Sequence, residues 1–252
     1  YRNLITLCLV MKGKLLLLVV LAVGLFSCRK DKYDFSEKTN YSCVPRTCEA
    51  ITARNFERYI VPKKNESSKD IFQEKALEGE SVSASDYLIR VDIGPRKLTG
   101  RIYWFEYDEI STHDYEIERQ IMQYLEGSPS YVQTRTVMVD VEYRTEEVVG
   151  IRLTPVVEGE TFEPVGDDRV NIWRAGNYQN FIISYDKRLV GEVGKETPLE
   201  KYLSFRPMIT ATMFLQLKQY DGLVGRKSRF AVEVEMRNGK VMRDTTAAVI
   251  LR

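Results

Sequence analysis

Apolar and polar residues alternate with period two along much of the chain, most cleanly near its end. In "RFAVEVEM", Phe230, Val232, Val234 and Met236 alternate with Ala231, Glu233 and Glu235 before the run meets Asn238-Gly239. This is the signature of a half-buried strand entering a tight hairpin. A two-residue type I′ turn at Asn238-Gly239 sets Met236 opposite Val241. The returning stretch "VMRDTTAAVIL" then turns Val241, Thr245, Ala247, Val249 and Leu251 to one face. Arg243 is the misfit, and implies a bulge or a snorkelling side chain. Further period-two runs predict strands over 87–93, 101–107, 136–143, 148–156, 180–186 and 212–219. Many short strands separated by turn residues predict a mainly β protein, an antiparallel immunoglobulin-like β-sandwich.

Two stretches break the alternation. "STHDYEIERQIMQYLEG" places Ile117, Ile121, Tyr124 and Leu125 at helical spacing, with Ser111 or Thr112 as N-cap and Gly127 at the end. It predicts a short helical insert near 112–126. "IFQEKALEG", Ile71 to Gly79, has a similar spacing, and both segments are expected to cover an open end or edge of the sandwich. "PKKNESSKD", Pro62 to Asp70, is polar and rich in turn formers, and reads as a surface connection.

The start of the chain follows a different pattern. The apolar run Leu15 to Phe26 is too short to cross a bilayer, which takes about 20 residues, and Lys12 and Lys14 bar its extension upstream. A basic start after Met11, an apolar stretch and small residues before Cys28 have the layout of an export signal, residues 11–27. Residues 1–10, with Cys8, precede the expected initiator Met11 and are excluded from the fold.

Leu25-Phe26-Ser27-Cys28 resembles a lipobox, the bacterial lipoprotein signal, with Phe26 where the commonest lipoboxes carry a smaller residue. Leu-Phe-Ser-Cys is similar to the form in Bacteroidota lipoproteins. The resemblance implies a diacylglyceryl thioether on Cys28, cleavage before it, and attachment to the outer membrane through lipid. Each buried CH₂ of such an anchor contributes about 0.8 kcal/mol. The charged, aperiodic stretch that follows reads as a flexible tether over 28–41, with a single β-sandwich domain over 42–252. Surface-exported Bacteroidota lipoproteins tend to carry an acidic patch after the lipidated cysteine, whereas Arg29-Lys30-Asp31-Lys32 is mostly basic, which favours the periplasmic face. "YRTEEVVGIRLTPVVEGETF", "FLQLKQ" and "RFAVEVEMRNGKVMRDTTAAVILR" resemble Bacteroidota lipoprotein domains of unknown function in strand pattern. That resemblance implies a β-sandwich and assigns no activity.

Charge and composition narrow the chemistry. The chain holds 37 basic and 36 acidic residues, and the basic residues of the signal are discarded with it, so no basic stripe points to nucleic acid. Export places Cys43 and Cys48, in "CVPRTC", in an oxidising compartment, where a disulfide closing a small ring stands beside two free thiols. A metal reading lacks ligands, since there is no second cysteine pair and His113 is the one histidine. No nucleophile elbow, phosphate loop, zinc helix motif or dinucleotide fingerprint occurs, so no catalytic residue and no cofactor is assigned. Aromatic residues beside amides, Tyr103 and Trp104 in "RIYWFEY" and Trp173 and Tyr178 in "NIWRAGNYQNF", are candidates to stack on a sugar ring or anchor a partner protein. Two functions are therefore expected to compete. One is a lipid-anchored, non-enzymatic envelope protein that binds an envelope protein or a glycan; the other is a small envelope hydrolase using a carboxylate pair with separated pKa values.

Overall fold

Where alternation is strongest, the backbone is extended and pairs into sheets. In the computed structural model, residues 41–63, 66–98, 113–127, 139–173, 181–194, 196–210 and 212–252 are described, and all lie in one compact unit. First come β1 (Tyr41–Arg46), β2 (Ala50–Lys63), β3 (Glu66–Glu74), β4 (Glu80–Val82) and β5 (Tyr87–Gly94). Helix α1 (Tyr115–Gly127) precedes the 19-residue strand β6 (Val139–Val157) and the short β7 (Glu160–Thr161). Next, β8 (Val170–Trp173), β9 (Phe181–Ser184), β10 (Leu189–Glu192) and β11 (Thr197–Pro198) lead into helix α2 (Leu199–Ser204). The chain closes with β12 (Pro207–Thr210), β13 (Thr212–Leu217), β14 (Lys227–Met236), β15 (Val241–Thr245) and β16 (Val249–Leu251).

Among the described residues these strands form two sheets. The 6-stranded sheet has the order β11-β8-β13-β5-β2-β3, and the 10-stranded sheet runs β10-β9-β12-β6-β14-β16-β4, with β1 and β7 added to β6 and β15 to β14. Ile51, Val91, Ile172 and Leu215 of the first meet Leu153, Phe230, Val232 and Val234 of the second in one apolar core. Each such fully buried side chain contributes about 1.5–3 kcal/mol relative to exposure. The protein is thus mainly β, two sheets packed on one core, with antiparallel pairing except at β1–β6 and β4–β16.

The C-terminal hairpin corrects the expected register by one residue. The Met236 amide donates to the Lys240 carbonyl and the Gly239 amide to the Met236 carbonyl, enclosing a three-residue turn with Gly239 at φ 82°. This is a type I turn followed by a left-handed glycine, not a two-residue type I′ turn. Val241 therefore pairs with Glu235 and faces out, while Met242 and Asp244 face in. A one-residue slip exchanges the two faces of a strand. Arg243, the apparent misfit, lies on the solvent face, 2.5 Å from Glu233. β14 keeps its predicted inward set, and Val249 and Leu251 are buried in β16.

Other elements differ from expectation for local reasons. Ile71 to Glu74 belong to β3, because the β2–β3 hairpin register overrides their helical spacing. Most of Pro62 to Asp70 is likewise strand rather than connection. The described part of the run over 136–143, residues 139–143, and the run over 148–156 are one strand, β6, which slips register against β14 between Val148 and Gly150. Helix α1 is capped by Asp114, whose Oδ1 accepts the Glu116 and Ile117 amides, rather than by Ser111 or Thr112, which lie outside the described residues. Its Ile117, Ile121 and Leu125 pack on Val141, Tyr143, Ile183 and Met208, so the helix covers a sheet face rather than an edge. The predicted strand 101–107 lies outside the described residues.

Candidate functional site

The six-stranded sheet is occupied on both faces. Alternation sends Val170, Ile172, Met213, Leu215 and Leu217 into the core. The register then leaves Asn171 opposite Gln216, and Trp173 opposite Phe214, on the outer face. There Trp173 and Phe214 join Phe56, Leu88 and Phe72 in a second cluster, with the Phe72 and Phe214 rings stacked at 4.8 Å.

Beside this cluster opens a groove of about 1040 Å³, lined among others by Ser85, Asn171, Gln216, Lys218, Tyr220 and Asp221. Its polar wall is rigid. Gln216 accepts from the Trp173 indole and donates to the Ser85 carbonyl at 3.0 Å. Lys218 Nζ donates to the Asp168 carbonyl at 2.6 Å, and the Tyr220 hydroxyl to the Tyr87 carbonyl at 3.3 Å. Asn171 is the exception: it is 8% exposed, and its Oδ1 has no hydrogen-bond partner among the described residues. A buried acceptor left open costs about 1–3 kcal/mol. A groove lined by polar side chains, with the Gln216 amide held between Trp173 and Ser85, suits recognition of a polar, hydroxyl-bearing ligand.

The residues singled out from sequence fall in different places. Trp173 does not offer its ring to solvent: it is 2% exposed, with the Arg58 guanidinium 4.5 Å from its ring centroid, and supports Gln216 from beneath. Tyr103, Trp104, Tyr178 and Cys28 lie outside the described residues. Cys43 and Cys48 are free thiols in the structure, not a disulfide. Cys43 packs under helix α1, whereas Cys48 belongs to the sandwich core. Burial pushes each thiol up to about 11, which keeps both protonated and inert at neutral pH. His113 Nδ1 lies 2.5 Å from Glu118 Oε1 at the head of α1, and the same carboxylate accepts the Tyr143 hydroxyl at 2.8 Å.

Among the described carboxylates with shifted pKa values, the movement is downward throughout. Glu57 and Asp86 are raised by burial and lowered further by hydrogen bonds, from Tyr59, Ser83 and Lys75 in one case and mainly from Arg58 in the other. Asp114 and Glu147 follow the same balance, through Lys187 and through Arg237 with Arg206. Such groups stay ionised near neutrality, the opposite of a poised proton donor.

Asn171 and Gln216 were missed in the sequence because each sits inside an apolar run. Alternation on a strand buried on both faces was their only signal.

No protein-family model matches the chain, and no curated protein sequence does. Among solved structures, it is similar to the major pilin subunit of Bacillus cereus at 9% identity and a TM-score of 0.16, over 84% of this chain and 69% of that one. A likeness at that level carries no inference about the fold or its use.

Proposed function

We propose that this protein is a cell-envelope lipoprotein of the Bacteroidota type, anchored in the outer membrane by acylated Cys28, whose sandwich binds a glycan or an envelope protein without catalysing a reaction. The observation that carries the anchor is Leu25-Phe26-Ser27-Cys28, placed between an apolar signal and a charged stretch that ends where β1 begins at Tyr41. Support for binding comes from the groove lined by Asn171, Gln216 and Lys218, where the Gln216 amide is held between Trp173 and Ser85. The downward-shifted carboxylates weigh against the hydrolase alternative, which needs one carboxyl held protonated. The mostly basic residues after Cys28 favour the periplasmic face.

Intact mass of the membrane-extracted protein, beside a Cys28→Ala variant, tests the anchor. A chain starting at acylated Cys28, with release of the variant from membranes, supports the proposal. An unmodified mass removes it. Protease digestion of whole cells separates the two membrane faces, since a periplasmic protein is protected until the outer membrane is opened. Binding at the groove is read by glycan-array retention of the full chain against Gln216→Leu, which removes a polar lining group.

A further inference from the structure

Two hairpin turns of the same design meet around one buried carboxylate. In the β9–β10 turn the Lys187 amide donates to the Ser184 carbonyl and the Ser184 amide to the Arg188 carbonyl, the pattern seen at Met236, Gly239 and Lys240. Tyr185 and Arg237 thus occupy equivalent first positions in two three-residue turns. Between them lies Glu147, its side chain 5% exposed, accepting Arg237 Nη1 at 2.8 Å and Arg206 through Nε at 3.2 Å and Nη2 at 3.4 Å. Both guanidiniums also cover Tyr185, at 4.0 Å for Arg237 and 4.7 Å for Arg206 from the ring centroid.

Three features set this cluster apart from an ordinary ion pair. The arginines are 46% and 47% exposed, so the carboxylate that aligns them is sealed while the remaining N–H groups face solvent. Two positive charges share one buried negative charge. Arg206 is held at φ 50°, a left-handed backbone where glycine costs less, by its amide bond to the Leu203 carbonyl and the bond from Tyr185 to its own carbonyl.

We infer that Arg206, Arg237 and Tyr185 form a binding site for a carboxylate-bearing sugar ring. A guanidinium pairs with a planar carboxylate through two parallel N–H bonds, and two of them set side by side fix its orientation. Tyr185, 41% exposed beside the two guanidiniums, leaves apolar ring surface for the C–H side of a pyranose. An acidic peptide of glutamates supplies the carboxylate but not the apolar C–H face of a sugar ring, so a uronic acid unit matches both halves of the site. Asp186, the next residue of the turn, also faces Arg237 and opposes the ligand's charge. The inference concerns the folded domain and stands whether or not Cys28 is acylated.

Calorimetric titration of the detergent-solubilised full chain with trigalacturonate tests it, beside the methyl-esterified trimer and a glutamate tripeptide. Saturable binding to trigalacturonate is expected, weaker by about tenfold or more for the ester, which has lost its charge. Arg206→Gln, Arg237→Gln and Tyr185→Ala should each lower affinity by a similar factor, and Asp186→Asn should raise it. Tyr185→Ala leaves the Glu147 ion pairs in place, so its effect is readable even if an arginine variant misfolds. Arg152→Gln, on another arginine-glutamate cluster, serves as a control and should change nothing. Absence of saturable binding, equal binding of the ester, equal binding of the peptide, or equal loss with Arg152→Gln overturns the assignment.

Discussion

Glu142 and Glu233 each hold two arginines, one pair inside the sandwich and the other on its open face. Glu142 accepts Arg46 at 2.6 Å and lies 3.9 Å from Arg144, and both arginine side chains are 0% exposed. Arg46 and Arg144 are direct partners across β1 and β6, a placement of like charges that the glutamate beside them offsets. Glu233 bonds Arg243 at 2.5 Å and Arg152 at 3.2 Å, with both arginines largely in water. The chemistry is the same and the environment is opposite. Inside, taking charge out of water is costly and each partner becomes indispensable. Outside, solvent screens the pairs, and their contribution is small. Glu147 falls between the two, a sealed carboxylate with half-exposed arginines, which is what leaves those arginines available to a ligand.

The sharpest way to break the comparison is Glu142→Ala, which removes the carboxylate between two buried guanidiniums; it should cost about 3–5 kcal/mol, read from the urea midpoint. Burial already lowers Arg144 to about 10, and loss of the carboxylate removes the main influence raising it. Replacing Arg46 and Arg144 by Met together with Glu142→Leu should restore most of that stability, because none of the three charges remains buried.

Glu147→Ala should cost less, about 1–3 kcal/mol, since the freed arginines rehydrate. The pH profile sharpens this middle case. Burial raises the Glu147 carboxyl, and hydrogen bonds from Arg237 and Arg206 lower it by more, so its folded pKa lies below the ordinary 4.5. Its contribution is therefore full above pH 4.5 and is lost as pH falls through the folded value. The difference in Tm between the native chain and Glu147→Gln should shrink on acidification below 4.5. A constant gap would show that the carboxylate is not held by its arginines.

The smallest effect is expected for Glu233→Ala, within about 0.5 kcal/mol and fading further at high salt. A loss as large as that at Glu147 would mean that exposure does not grade these clusters.

The outer cluster was legible in outline. Alternation in "RFAVEVEM" placed Glu233 on the solvent face, and only the turn type separated the expected register from the one that puts Arg243 beside it. The same dipeptide reading failed at Asn238-Gly239 and would have suited Glu158-Gly159, where both residues have positive φ between β6 and β7. Turn chemistry narrows the choices, and the flanking strands decide among them. The inner cluster was not legible. Arg46 and Arg144 are 98 positions apart in the chain and meet through a parallel pairing that no local pattern announces. Asn171 and Gln216 were hidden for a related reason, since polar residues inside apolar runs acquire meaning only when register sets them side by side.

Local pattern by itself determined the class of fold, the helix at Tyr115–Gly127 and the inward faces of β14 and β16, because side-chain direction in a strand or helix follows from backbone period alone. It also determined the expectation of an exported, lipid-bearing chain, which rests on a short linear signal. Tertiary structure decided which charges are sealed and which face water, where the amide groove opens, and how two distant turns come to frame Tyr185. Burial and long-range pairing depend on which segments meet in space, and residues far apart in the chain carry no local trace of that meeting.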